Sequence, residues 1–419
     1  MLINKKILIY LFFILTLFIG FYYGENSSGG AKIDFGILFP YIQNFSNDFK
    51  IGFETYANNS STLLHSPIFY IVASLLLKLF DELIYVNIIY IFISASLPYF
   101  LYQIIKHNYN LNNDYVFYLS LIIFFSPYFR SSSIWLLGDN LSLIFFALSI
   151  FFFIKSLQSK NEVSSFFFCL FFLILCCYIR YYYALFSIYY LSVFYKNLNK
   201  NFFFFLVFFS FFLSIPAITY FYFIFKNYNF LGTVNNFGKI NLYSNGLIIL
   251  SMFLFYLIPL TFNDKLLVLK HFKKKKIYFF FIFFSLISIY ILDYFSLIKI
   301  IEFSPRGGGV FLKLIQYLNL DEKLFLSIIA FPSIILLDYL FQGKRLINYS
   351  IFLILLLSLP LFTLYQKYID PLIFLIIFGL IQSSALKEII HLKRIEIKFY
   401  FMYFFSFYLF SLTYYLKIY

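Results

Sequence analysis

Three ionisable side chains are candidates for chemistry. Two of them lie at the start of, or within, long apolar stretches, and the third lies in the longest polar segment. Asp139 opens a long apolar stretch, Arg180 interrupts the apolar residues 165–195, and Asp34 lies in the polar segment 24–66. A charge in apolar surroundings costs free energy unless it is paired or faces water, so such residues are site candidates. A carboxylate can act as a general base or hold a cation, whereas the forked guanidinium of arginine suits a phosphate or a carboxylate.

Four further residues could bind a substrate. His65 lies just before a helix that proline would start, where it could bind phosphate or shuttle a proton. Arg306 precedes the glycines 307–309, whose backbone can approach an anion closely, although no Gly-Lys-Ser or Gly-Lys-Thr follows as in a Walker motif. Lys367 and Asp370 share a short turn between two apolar stretches.

Each candidate also has a purely structural interpretation. Asp34 could be a solvated loop acid, and Asp139 or His65 could cap a helix by satisfying free backbone amides. Arg180 could lie at the tip of a helical hairpin. The glycine run could be a flexible turn, and Lys367 with Asp370 could form a structural charge pair. The sequence leaves these alternatives open.

The elements that must position these residues are membrane-spanning helices. The chain has 419 residues, of which 63% are hydrophobic and 12% charged, and its mean hydropathy is +0.87. Apolar runs of roughly 18–22 residues recur, each long enough to cross ~30 Å of hydrocarbon as a helix. Residues 202–225 are apolar on every face, which argues against a β-barrel. We therefore predict an all-α integral membrane protein: one domain, 1–419, of about 12–14 transmembrane helices.

Lysine and arginine set the predicted orientation, because basic loops are retained in the cytoplasm. We interpret the net charge of +14 as the result of basic cytoplasmic loops rather than as a sign of nucleic-acid binding. Lys5 and Lys6 place the N-terminus inside, before an uncleaved first span at about 7–23. The segment 24–66 then forms a large first loop on the periplasmic or luminal face. Pro67–Phe80 is short for a crossing and is predicted to be re-entrant or tilted.

Cysteine usage gives no sign of a disulfide framework or a metal centre. The three cysteines, Cys169, Cys176 and Cys177, lie within one apolar stretch. No ligand cluster is evident elsewhere, so no metal-ligating residue is predicted.

Taken in order, these residues resemble the GT-C superfamily of polytopic membrane glycosyltransferases, including the mannosyltransferase and lipid A aminoarabinose transferase types. The shared order is an Asp in the first outer loop, a His-Pro helix start, an Asp opening a later span, an Arg or Lys between the next two, and a Tyr-x-x-Pro turn near the C-terminus. The resemblance covers roughly residues 1–200, with a fainter part at 366–371. Members often carry Asp-Glu or Asp-x-Asp in the first loop, whereas this chain has Asp34-Phe35.

The resemblance implies transfer of a sugar from a polyprenyl-phosphate donor to a glycan, lipid or protein acceptor. The transfer would take place on the outer, periplasmic face of the cell (inner) membrane and would invert the configuration of the sugar. Asp34 and Asp139 would be catalytic. The implied substrate-binding residues are His65, Arg180, Arg306, Lys367 and Asp370. Some relatives use a divalent cation, Mg²⁺ or Mn²⁺, and others do not, so no cofactor is assigned.

Two other functions fit the same composition. An O-antigen polymerase or ligase is also basic, aromatic-rich and multi-pass, and it would depend on Arg180 and Arg306 while Asp34 would be dispensable. A lipid-linked glycan flippase or another transporter is the other alternative, although transporters tend to show paired halves that are not evident here.

Overall fold

The computed structural model is built from helices joined by short turns. It describes residues 5–58, 66–158, 163–227, 242–298, 303, 307–359 and 363–416. Within these ranges there is no strand, and the one β-bridge pairs Gly343 with Ser383. The all-α prediction is confirmed.

Contacts within the chain group it into two compact units. The first unit is residues 1–234 with 404–419, and the second unit is residues 235–403. The prediction of a single polytopic domain stays a prediction.

The helices of the first unit are Lys5–Tyr22, Ala31–Asn47, Phe49–Asn58, Ile68–Phe80, Leu83–Tyr109, Asp114–Ser120, Pro127–Ile134, Gly138–Gln158, Val163–Ile179, Phe186–Asn197 and Lys200–Asn227. Two 3₁₀ turns, Leu121–Phe125 and Tyr181–Leu185, interrupt this series. Most of the last helix of the chain, Ile397–Leu416, also belongs to this unit.

The helices of the second unit are Leu242–Thr261, Lys265–Lys274, Lys276–Tyr294, Gly309–Tyr317, Glu322–Leu340, Arg345–Ser358, Leu372–Leu375 and Ser384–His391. It also contains the 3₁₀ turns Phe262–Asp264 and Gln366–Tyr368 and the π-helical turn Ile376–Leu380.

Seven helices in the described residues are long and apolar enough to cross a membrane, which is compatible with a multi-pass membrane protein. Four shorter apolar helices accompany them. This is fewer than the predicted 12–14, because several apolar stretches are broken inside. Arg180, for example, divides residues 165–195 between the helices Val163–Ile179 and Phe186–Asn197.

The long helices differ in how much of their surface is covered by protein. Only 6% of the most apolar part of the helix that begins at Lys200 is buried. The corresponding share is 72% for the segment Leu242–Lys274, in which the 3₁₀ turn Phe262–Asp264 joins two helices. Phe208 and Phe211 on the first of these are 67% and 60% exposed. Large aromatic side chains with such exposure would be unfavourable in water, so this surface suits contact with lipid.

The segment 24–66, predicted as a large loop, is helical for most of its described length. It forms the helices Ala31–Asn47 and Phe49–Asn58, and its place as an outer loop between two spans stays a prediction. Pro67–Phe80 is confirmed as a short helix, with bounds Ile68–Phe80. Aromatic and aliphatic side chains of these helices, among them Phe45, Tyr56 and Tyr70, form a buried cluster with Tyr90.

Candidate functional site

The first unit contains a buried ion pair between Asp139 and Arg180. The Nε group of Arg180 donates a hydrogen bond to Oδ1 of Asp139 at 2.8 Å. Asp139 is 9% exposed and Arg180 is 8% exposed. Two residues that the sequence singled out separately, 41 positions apart, are therefore direct partners.

Helix ends bring this pair together. Asp139 lies in the first turn of Gly138–Gln158, where the positive end of the helix dipole favours a carboxylate. Arg180 follows the last residue of Val163–Ile179, and its backbone N–H still bonds to the carbonyl of Cys176 at 2.9 Å. Both ends therefore lie at the same level of a helical hairpin.

Glycine at position 138 allows this close approach. A Cβ atom there would lie 3.1 Å from Cγ of Phe69 and 3.1 Å from Cγ2 of Ile179. Just before it, Leu136 has a φ of +47°, in the left-handed region that costs a non-glycine residue about 1–2 kcal/mol. The hydroxyl of Tyr90 donates to the carbonyl of Leu137 and holds this turn.

Two buried tyrosines lie near the pair, and one of them, Tyr70, also lies near Asp34. Tyr70 is buried and interacts electrostatically with Arg180, Asp139 and Asp34. Tyr90 also interacts with both members of the pair. Asp34 is half-buried in the first turn of Ala31–Asn47. We call this group, Asp34, Tyr70, Tyr90, Asp139 and Arg180, the tyrosine-lined site.

The tyrosine-lined site combines one fixed cation with two carboxylates in largely apolar surroundings. Among the described residues, Arg180 donates its side-chain hydrogen bond to Asp139 from Nε. Its two terminal amino groups can therefore donate to a further acceptor. A guanidinium held in this way can bind a phosphate, because its orientation is set in advance by Asp139. Asp34, which is more exposed than Asp139, is the better placed of the two acids to exchange a proton with a substrate.

A second buried ion pair, between Glu25 and Arg130, was not predicted as a pair. Arg130 donates from Nε to Oε1 of Glu25 at 2.8 Å and from Nη2 to Oε2 at 2.6 Å. Thr16 accepts two more hydrogen bonds from the same guanidinium. Tyr408 places its ring 4.7 Å from Cζ of Arg130 and donates its hydroxyl to Glu25. Because its guanidinium N–H groups are bonded to Glu25 and Thr16, Arg130 stabilises the fold rather than binding a ligand.

Gly20 is required because the Glu25–Arg130 ion pair packs directly against the first helix at this position. A Cβ atom on Gly20 would lie 2.4 Å from Oε2 of Glu25 and 2.9 Å from Cδ1 of Ile134. Because Arg130 pins the Glu25 carboxylate, the clash cannot be relieved without breaking hydrogen bonds. We expect Gly20→Ala to lower the free energy of unfolding by about 1–3 kcal/mol through overpacking, measured by thermal unfolding in detergent micelles.

Gly36 provides the matched control for that substitution. It also lies within a helix, and a Cβ there would meet nothing within 4 Å. Gly36→Ala should be neutral or stabilising by up to about 1 kcal/mol, since alanine favours helix. Equal changes in stability for the two variants would contradict the packing argument.

The predicted residues of the second unit lie at the turn before its π-helical segment. The ammonium group of Lys367 lies 5.6 Å from the ring centre of Tyr365 and 5.8 Å from that of Tyr368. Asp370 is buried, and its backbone N–H bonds to the carbonyl of Gln366 at 2.8 Å. Both residues belong to the second unit, whereas the tyrosine-lined site belongs to the first.

The glycine run is held by its own chain. The amide of Gly308 bonds to the carbonyl of Leu364 at 2.8 Å, and that of Val310 bonds to Oε1 of Gln366 at 3.1 Å. Those amides are therefore occupied, which favours the structural interpretation of the turn. Arg306 and His65 lie outside the described residues, and their predicted roles stay predictions.

No metal centre is evident in the part of the chain that the structure describes. No group of three or more His, Cys, Asp or Glu side chains comes together there in a way that could hold an ion. The use of Mg²⁺ or Mn²⁺ stays untested.

Comparison with known proteins gives no match: no protein-family model, no curated protein and no solved structure is significantly similar to this chain. The resemblance to the GT-C superfamily therefore rests on the residues and their order alone.

Proposed function

We propose that this protein is a membrane glycosyltransferase that moves a sugar from a polyprenyl-phosphate donor to an acceptor. The observation that supports this most is the tyrosine-lined site, in which a buried arginine is oriented by Asp139 and shares the neighbourhood of Tyr70 with Asp34. A fixed cation for the phosphate and a separate carboxylate that acts as a base on the acceptor are the two groups that such a transfer needs.

In the proposed reaction, the Asp34 carboxylate takes the proton of an acceptor hydroxyl. The hydroxyl oxygen forms a bond to C1 of the sugar from the face opposite the phosphate. The bond between C1 and the phosphate oxygen breaks, and polyprenyl phosphate leaves with the electron pair. The configuration at C1 is inverted.

Arg180 stabilises the charge that develops on the leaving phosphate. Its contribution is electrostatic and depends on being held in place before the reaction, which is the task of Asp139. Asp139 is therefore a positioning residue in this scheme. His65, Arg306, Lys367 and Asp370 remain proposed substrate-binding residues.

The proposal also includes the membrane arrangement. We place the N-terminus in the cytoplasm and the tyrosine-lined site toward the periplasmic face of the cell membrane, on the distribution of lysine and arginine. The GT-C-like arrangement of the helices is part of the same proposal. The acceptor, whether glycan, lipid or protein, is left to the experiment.

The test is sugar transfer by the purified protein in liposomes, with a panel of polyprenyl-phosphate sugars and detection of product by mass spectrometry. We expect Asp34→Asn to lower the transfer rate by about 100-fold or more, the usual contribution of a general base. Because Asp34 is only half-buried, the variant should remain folded.

Glu54→Gln is the matched control, since Glu54 is an exposed acid of the neighbouring helix Phe49–Asn58. It should retain the transfer rate of the unsubstituted protein. Full activity of Asp34→Asn would remove its role as base and favour the polymerase or ligase alternative. Movement of lipid-linked glycan across the liposome bilayer without transfer would instead favour a flippase.

A further inference from the structure

The second unit contains a cationic cluster built around one buried carboxylate. Asp338 is 1% exposed. Its Oδ2 atom lies 2.7 Å from Nε2 of His271 and 2.8 Å from Nζ of Lys275. Its Oδ1 atom lies 3.2 Å from Nε of Arg345 and accepts a hydrogen bond from Tyr349 at 2.9 Å.

The charges at this place do not cancel. Lys275 and Arg345 are the two cations of fixed charge that contact Asp338. Each has an exposed lysine directly before it in the sequence, Lys274 and Lys344. These four cations outnumber the single carboxylate of Asp338 by three. We call these residues the basic cluster. Its outward side can therefore accept an anion.

Two helix starts add to the positive potential of the basic cluster. The helix Lys276–Tyr294 begins directly after Lys275, and Arg345–Ser358 begins at Arg345. The first turn of a helix carries unbonded amides and the positive end of the helix dipole, which favour a nearby anion. Because Lys275 and Arg345 both contact Asp338, these two helix starts converge on the same place.

The helix next to the basic cluster has the composition of one that lies in a membrane surface. Lys265–Lys274 carries four lysines, yet its Leu266 and Leu269 are 73% and 53% exposed. Leu346, next to Arg345, is 86% exposed. Apolar side chains exposed beside lysines are typical of helices that insert into the headgroup region of a bilayer.

We propose that the basic cluster binds the phosphate headgroup of an anionic phospholipid of the surrounding bilayer. The excess positive charge meets the phosphate, and the exposed leucines meet the start of the acyl chains. A soluble phosphate compound would gain nothing from those leucines, which is why a lipid is the better fit. This binding is independent of the proposed sugar transfer.

The test measures lipid retention by native mass spectrometry of the full-length protein in neutral detergent. Phosphatidylglycerol and phosphatidylcholine are offered at equal concentration. We expect the unsubstituted protein to retain phosphatidylglycerol preferentially. The triple variant Lys274→Gln, Lys344→Gln, Arg345→Gln should lose about fivefold of that preference for each charge removed. Asp338 keeps His271, Lys275 and Tyr349 as partners, so the fold should persist.

A control variant removes the same charge elsewhere. Lys5→Gln, Lys196→Gln, Lys200→Gln changes three exposed lysines of the first unit and should keep the preference. An equal loss in this control would mean that net charge alone attracts the lipid and would overturn the proposal. Unchanged retention in the first triple variant, or displacement of the lipid by millimolar inorganic phosphate, would overturn it as well.

Discussion

Replacing Arg130 with methionine is expected to lower the free energy of unfolding by about 3–5 kcal/mol. The loss comes less from the missing attraction than from Glu25, a buried carboxyl that would be deprived of both guanidinium hydrogen bonds. Ser27 and Tyr408 would still donate to that carboxylate, but neither supplies a positive charge. The variant should therefore be among the least stable single substitutions in the first unit.

The fluorescence of the only tryptophan can report this unfolding. Nε1 of Trp135 donates to the carbonyl of Glu25 at 2.7 Å, so the surroundings of the indole ring change when the ion pair between Glu25 and Arg130 separates. Glu25→Gln alone should also destabilise, whereas the double variant Glu25→Gln, Arg130→Met should lose less than the sum of the two, since no lone charge stays buried. Strictly additive losses would show that the two side chains stabilise the fold independently.

Apolar runs predicted the kind of structure better than the number of spans. Length and hydropathy identify an apolar helix wherever enough residues are uninterrupted, as in Leu83–Tyr109. They do not reveal where a run is divided into shorter pieces. The run that contains Pro127 is divided into the helix Asp114–Ser120, a 3₁₀ turn and a second helix, because proline at a helix start ends the preceding element.

The tyrosine-lined site was predictable in its charged residues but not in its pairing. Asp139 and Arg180 each stand out because a charge beside apolar residues needs compensation, and a helix start was the expected place for Asp139. Which anion compensates Arg180 depends on how the hairpin closes, which spacing alone does not fix. The role of Tyr70 was hidden by the abundance of tyrosine in the chain.

Glu25 and Asp338 were missed, although the sequence carries a signal for both. Glu25 comes three residues after Tyr22, the last residue of the first apolar helix, and Asp338 falls inside the apolar stretch Glu322–Leu340. An acid in such a position requires a cation, and Arg130 and Lys275 supply it from 105 and 63 residues away. Partners at that separation are set by tertiary packing, so local patterns identify the need for a partner and not the partner itself.

The largest combined effect on stability and activity is expected from Arg180→Met. Asp139 would remain buried without its cation, at a cost of about 3–5 kcal/mol in the free energy of unfolding. If Arg180 also holds the donor phosphate, the rate of sugar transfer should fall by a further 100- to 1000-fold, about the effect of removing one fixed donor to a developing anion. Thermal unfolding and transfer in liposomes measure the two losses separately.

The double variant Asp139→Asn, Arg180→Met distinguishes a ligand-binding arginine from a structural one. Removing both charges leaves no lone buried ion, so stability should partly return. Transfer should not return, since the cation for the leaving phosphate is still missing, and binding of polyprenyl phosphate should stay weak. Recovery of transfer together with stability would mean that Arg180 only braces the helical hairpin. Arg180→Lys should keep the pairing with Asp139 but bind the donor less well, because an ammonium group lacks the forked geometry that two phosphate oxygens require.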